Sequence, residues 1–454
     1  MSFVRIPHAA ATLVSACVAI AVSTAVPQRA EAVPSFARQT GQACNACHVG
    51  GFGPQLTSYG RHFKLEGYTA SNGEDKYPPI SAMILGSFTH TSKKQPGGAG
   101  EHDGPNNNTA LDQSSLFLAG RMNDHLGVFG QLTYSEIDRA TAADNFDVRY
   151  ANTFELGGDD AVFGITFNNN PSVSDVWNTA PAWAFPYVAS DLAPAPAAGT
   201  LLAGGVEQAV LGLTSYLYWN NLVYGEVGAY HRLSHGALQA IGVDDSDGNV
   251  RGLAPYARLA VTPQIGDHDS EFGMTLFHGA MQPGLTGSRR DKYTDLSFDG
   301  NFDLLKNENN AIQLDFNYAH EWQNLDASFF NGDSQHRKNT LNTLALGGSY
   351  YFKDTYGITA QYFNIWGSRD TGLYAPAAIE GSRTGSPNSS GLVVQLDWTP
   401  FGKEDSWASP WVNLRVGLQY TNYLKFNGSS SNYDGSGRDA SDNNTLYFFV
   451  WTAF

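Results

Sequence analysis

Trp411-Val412-Asn413-Leu414-Arg415-Val416-Gly417-Leu418-Gln419-Tyr420 changes character at every step. Val412, Leu414, Val416, Leu418 and Tyr420 share one side of an extended chain. Asn413, Arg415, Gly417 and Gln419 share the other, because successive side chains of a strand point to opposite faces. The pattern recurs: Ile312, Leu314, Phe316 and Tyr318 oppose Gln313, Asp315 and Asn317, and Leu392, Val394, Leu396 and Trp398 oppose Gln395, Asp397 and Thr399. A soluble sandwich alternates in the same way. Segment length and punctuation separate the two cases.

Sixteen such segments run from 81–90 to 443–454, most of them 10 to 15 residues long. That is long for soluble strands and suits tilted membrane strands. Gaps after the even-numbered segments never exceed nine residues, with turn pairs such as Gly158-Asp159 and Lys353-Asp354. Six of the eight odd-numbered gaps hold at least 17 residues. Short periplasmic turns alternating with long extracellular loops are the pattern of a bacterial outer-membrane barrel. Composition agrees: 15% charged residues, 13% aromatics, 48 glycines and a mean hydropathy of −0.29. No apolar run of about 18 residues follows residue 32, which argues against a transmembrane helix. The terminal strand Leu446–Phe454 resembles the insertion signal of outer-membrane barrels. The fold expected is therefore all-β, a transmembrane antiparallel β-barrel of about sixteen strands over 80–454.

Residues 1–32 read as a cleaved signal peptide, with Arg5 in the n-region, an apolar stretch from Ala9 to Val26, and Ala30-Glu31-Ala32 at the cleavage site. Val14-Ser15-Ala16-Cys17 resembles a lipoprotein box, but the chain stays apolar after Cys17. Cleavage removes two of the 27 basic residues (Arg5, Arg29) and one of the 43 acidic ones (Glu31), leaving a formal charge of −17. No nucleic-acid partner is expected of such a chain, and cations are favoured over anions.

Cys44-Asn45-Ala46-Cys47-His48 follows directly. Cys-x-x-Cys-His is the attachment signature of c-type haem, with the thiols forming thioethers and the imidazole ligating iron. A zinc site of four thiolates is impossible, because the only other cysteine, Cys17, lies in the signal. A redox disulfide motif would sit in a βαβ pattern, and none is visible. The cofactor expected is one covalent haem c, held by Cys44 and Cys47 with His48 as proximal ligand. Residues 33–79 form a small α-helical haem segment, too short for a core of its own. It is expected to plug the periplasmic end of the lumen. Met83, of lumen parity on 81–90, is the first candidate for the distal ligand, and His62 the alternative. The Pro- and Trp-rich stretch Pro171–Gly205 either folds into the lumen or stays a solvated loop.

Phe36-Ala37-Arg38-Gln39-Thr40-Gly41, the haem motif, Tyr59-Gly60-Arg61, Phe63-Lys64 and Gly67-Tyr68 together resemble the fused cytochrome–porin family. Its best-known members are outer-membrane iron oxidases of Fe(II)-oxidising bacteria. The motif match covers residues 34–68, and beyond it the similarity is architectural. The resemblance implies a protein of the Gram-negative outer membrane, embedded in its lipid. It would carry electrons from an extracellular reductant, foremost Fe(II), to a periplasmic cytochrome c. If enzymatic, it is an Fe(II):cytochrome c oxidoreductase. The alternative is a diffusion porin whose haem plug is structural or sensory. A peroxidase would need a distal His–Arg pair, and none is assignable. Asp147, Glu155, Asp315 and Asp397 have lumen parity; they either form a cation funnel between the extracellular mouth and the haem or serve solvation of the lumen alone.

Overall fold

A computed structural model describes residues 33–74, 78–243, 248–284 and 287–454. The expected signal peptide, 1–32, lies outside the described residues. Sixteen strands close into one antiparallel barrel. They are β1 (Ile80–Thr91), β2 (Asn108–Arg121), β3 (Leu126–Ser135), β4 (Ala140–Leu156), β5 (Asp159–Asn168) and β6 (Val210–Trp219). Next come β7 (Val223–Arg232), β8 (Leu253–Val261), β9 (His268–Pro283), β10 (Asp291–Lys306) and β11 (Asn310–Leu325). The last five are β12 (Lys338–Phe352), β13 (Tyr356–Gly367), β14 (Ser389–Trp398), β15 (Asn413–Lys425) and β16 (Thr445–Ala453). Two short pieces, Gly248–Val250 ahead of β8 and Gln264–Ile265 in the following turn, add to the ladder of β9. Closure is made by β1 on β16, from Met83↔Ala453 to Thr91↔Thr445.

Each expected strand is present, with ends shifted by a few residues. β11 continues past its expected end at 321 in regular register with the start of β10, and β10 runs past its expected end at 302 for a physical reason. A bulge between Asp303 and Leu305 reverses the parity, so Leu304 and Leu305 are both exposed and the alternation breaks while the ladder continues to Lys306↔Ala311.

The faces are inverted relative to a soluble protein. Leu116, Leu213, Val227 and Leu396 point outward at 50–61% exposure, while Gln113, Arg149, Glu226, Arg258 and Arg415 are buried inside. In water, each outward side chain would forgo about 1.5–3 kcal/mol of burial energy. A band of them requires lipid, so the barrel belongs in an outer membrane.

Two segments fill the lumen. The first is the N-terminal unit: α1 (Pro34–Thr40), α2 (Cys44–Cys47), a 3-10 turn (Val49–Gly51) and α3 (Ser58–Leu65). Proline opens α1 and Gly41, at φ 71°, ends it. The Thr57 side chain caps α3 by accepting from Gly60 N. Gly60 also lets α3 lie against α2, since a Cβ there would stand 2.3 Å from Cys47 O. Gly127 of β3 does the same for the barrel wall, 2.1 Å from Gly67 O on the same construction.

The unit sits at the end of the barrel that carries the short turns. Asn45 N donates to Gly402 O (2.9 Å), Asn45 Nδ2 to Asp354 (3.2 Å) and Ser58 Oγ to Asp269 (2.8 Å). The second segment, 169–209, enters from the other end and folds inward, so of its two expected conformations the lumenal one is observed. Strands on several sides of the lumen grip its backbone: Arg149 donates to Ser174 O, Gln361 to Phe185 O and Gln419 to Val188 O, while Asp295 accepts from Leu202 N. Phe52 and Phe63 of the N-terminal unit, Val173 and Trp183 of the inward segment, and Phe117, Phe129 and Trp451 of the wall share one buried apolar cluster.

Candidate functional site

The sequence places Cys44, Cys47 and His48 on one turn and its continuation. His48 N donates to Cys44 O (2.9 Å), and His48 pairs with Leu56 in a β-bridge that folds the chain back on itself. The returning strand meets Thr57, whose N donates to Cys47 O (2.9 Å). This loop is bolted to the barrel wall. Gln55 accepts from Tyr351 OH (2.9 Å), and Tyr351 OH in turn accepts from Arg415, which holds Asp397 through two bonds of 2.8 Å.

Cys44, Cys47 and His48 all line one cavity of about 810 Å3, open mouth included. Phe36, Phe63, Phe129 and Trp183 supply much of its apolar wall. Cys44 and Cys47 are unbridged and partly exposed. Burial pushes the Cys44 thiol up to about 11 and the Cys47 thiol to about 12, the latter with help from the neighbouring sulfur. The His48 ring is driven down to about 4, mainly by burial and then by the charge of Arg415, against main-chain contacts from Gln55 and Gly53. Its Nδ1 is buried without a hydrogen-bond partner.

Covalent haem c fits these residues. The two thiols and the adjacent imidazole line the same cavity in the order of the attachment motif, and its walls are apolar and aromatic.

The other expected ligands fall elsewhere. Met83 faces the lumen, as its parity predicts, but it is fully buried and its sulfur accepts a hydrogen bond from Trp451 Nε1. It does not line the cavity. His62 lies on the other side of α3, with Nδ1 2.9 Å from Ser58 O, and lines a separate cleft with Arg61.

Lys64 was missed as a site residue, though it lines the cavity. Its amine donates to Asp175 O (2.6 Å) and Asn178 Oδ1 (2.8 Å) and lies 5.1 Å from the Trp183 ring centre. Burial, reinforced by Arg149, drives the amine down to about 7, against the pull of Asp175, Asp147 and Glu226. The signal was available: Gly60, Phe63 and Lys64 stand at i, i+3 and i+4 and share one helical face, which the cavity uses.

Three of the four carboxylates expected in a funnel are unavailable to one. Asp147 is bound to Arg149 and accepts from Tyr68 OH (2.8 Å), and Asp397 is bound to Arg415. Glu155 is exposed, next to the short turn at Gly157-Gly158, which is the wrong end for an extracellular funnel. A buried carboxylate in a low-dielectric lumen needs a cationic partner, and Asp147 and Asp397 have one within the protein. Asp315 is half-buried and makes no ion pair among the described residues.

No protein-family model and no curated protein matches the chain. Solved outer-membrane structures do match, at low identity. An anion-selective porin from Comamonas acidovorans aligns at TM-score 0.46 and 10% identity, over 82% of this chain and 98% of that one. The outer-membrane channel DcaP of Acinetobacter baumannii aligns at 0.45 and 11%, over 83% and 96%. OmpT, an outer-membrane protein of Vibrio cholerae, aligns at 0.40 and 12%, over 83% and 96%.

Proposed function

We propose that this outer-membrane barrel carries one covalent haem c in the cavity of Cys44, Cys47 and His48. Its function is to pass electrons across the membrane, from an extracellular reductant to a periplasmic cytochrome c. The observation that carries the reading is that all three residues of the attachment motif face one apolar cavity inside a barrel whose lumen is filled. When bound, the haem supplies reversible one-electron chemistry. The chain's own part is to anchor that group through two thiols, to present the His48 imidazole, and to keep water away with Phe36, Phe63, Phe129 and Trp183.

The apolar band of such a barrel is about 25 Å tall, and the motif lies at one end of it, against the turn residues Gly402 and Asp354. Fe(II) is the donor implied by the resemblance over residues 34–68. The short-turn end, where the motif sits, is the periplasmic end by the rule for bacterial barrels.

A second reading has its own support. The fold is a sixteen-strand outer-membrane barrel, and a cleft lined by Arg61, His62, Tyr218 and Asp269 opens beside α3. On this reading the chain is a diffusion porin with a structural or sensory haem plug. Proteoliposomes separate the two. With an oxidised dye inside and Fe(II) outside, the first reading expects dye reduction and little sugar-driven swelling. Swelling without dye reduction would establish the porin reading instead.

A further inference from the structure

We infer that Lys64, and neither Met83 nor His62, presents the second axial nitrogen to the haem iron. The inference rests on the proposed attachment of haem at Cys44 and Cys47.

The argument is one of access. Among the described residues lining the cavity, besides His48 and the two thiols, Lys64 and Tyr68 carry a strong donor for iron. The Tyr68 hydroxyl donates to Asp147 at 2.8 Å, and burial beside that carboxylate holds it as the protonated phenol rather than the ligating tyrosinate. Met83 is cut off. Its sulfur is held by Trp451, whose ring lies 5.0 Å from Phe52, and Met83 is not part of the cavity wall. His62 opens on the separate cleft.

Lys64 has the right surroundings for a ligand. It shares one helical face with Gly60 and Phe63, and that face forms part of the cavity wall. The oxygens it donates to are a main-chain carbonyl and a side-chain amide, and burial together with Arg149 outweighs the charges of Asp175, Asp147 and Glu226. A buried ammonium with such partners is costly, whereas a neutral amine keeps a lone pair to give. The inward segment supplies both acceptors, so the same contacts that dock 169–209 also hold the amine in the cavity.

The test uses the purified, haem-loaded protein in detergent. Optical and paramagnetic-resonance spectra of the oxidised wild type should be low-spin, without the near-infrared band of methionine–haem coordination. Lys64→Ala should shift the spectrum to high-spin. Lys64→Arg keeps a long side chain with a hydrogen-bonding end but cannot ligate, and it should give the same shift. Lys64→Met should introduce the methionine band and raise the reduction potential. Met83→Leu and His62→Ala should leave the spectrum unchanged.

A methionine band in the wild type that Met83→Leu removes would overturn the assignment. So would a high-spin wild type, or a low-spin spectrum that survives both Lys64→Ala and Lys64→Arg. Covalent haem is counted separately, after denaturation, as the pyridine adduct. A wild type without covalent haem overturns the attachment itself, whereas covalent haem with spectra indifferent to residue 64 overturns only the role of Lys64.

Discussion

Trp451 Nε1 donates to the sulfur of Met83, and both side chains are fully buried. The residues are 368 positions apart and belong to the first and last strands, so this contact lies on the seam that closes the barrel. Phe52 of the N-terminal unit meets the Trp451 ring edge-on at 5.0 Å. Seam and plug therefore share one apolar seat.

Met83→Ala should destabilise the barrel by about 2–5 kcal/mol through the cavity it leaves. The midpoint of urea unfolding in detergent reads this directly. Covalent haem, measured on the same preparation, should be retained.

Cys44→Ser combined with Cys47→Ser should abolish haem staining on denaturing gels. Both side chains face the cavity and are unbridged, so the barrel should still insert and show heat-modifiable migration. Haem that stays bound after denaturation of the double variant would defeat the attachment claim.

Topology is testable on intact cells. Epitopes at Gly98 and Gly435 lie in long connections, whereas Asp354 lies in a short turn against Asn45. The first two should be labelled by an external antibody and the third should not. The reverse pattern would invert the orientation of the barrel.

Asp397→Asn removes one side of a buried ion pair with Arg415 and should cost about 3–5 kcal/mol of stability. Its effect on reduction by Fe(II) should be the same at low and high salt, because buried charges are little screened. A loss confined to low ionic strength in stopped-flow reduction would instead restore a role in attracting cations.

Asp370 organises the long-loop end. Burial works to raise its carboxyl, but hydrogen bonds from Gln335 N, Asn339, Ser334 and Leu373 N prevail and hold it well below the usual carboxylate range. With a depressed folded value, its contribution is present above the ordinary pKa of 3.8 and is lost as pH falls through the lower folded value. Loop protection against an acid-tolerant protease should therefore persist in the wild type down to pH of about 4. Asp370→Asn should lose about 1–3 kcal/mol of that protection at neutral pH.

Strand number, turn lengths and the outward apolar face were legible in the sequence, because they follow from properties that neighbouring residues carry. The alternation of Val412 to Tyr420 needs only the pleat and a lipid outside. Where a bulge intervenes, as at Asp303 to Leu305, that local code fails and the strand end is misplaced. The attachment motif was equally local: five consecutive residues, brought to one cavity by the turn they form.

What the tertiary structure alone decided is which side chains meet across the lumen. Lumen parity put Met83 on the correct face, yet the closure of β1 on β16 gave its sulfur to Trp451. Parity also marked Asp147 and Asp397 as inward-facing, yet Arg149 and Arg415, each on the same or the adjacent strand, neutralise them. The path of 169–209, and with it the surroundings of Lys64, depends on hydrogen bonds from strands far apart in the chain. Alternation is imposed on each strand by its own pleat and the lipid beside it, whereas partnership inside a closed barrel exists only after the first strand has found the last.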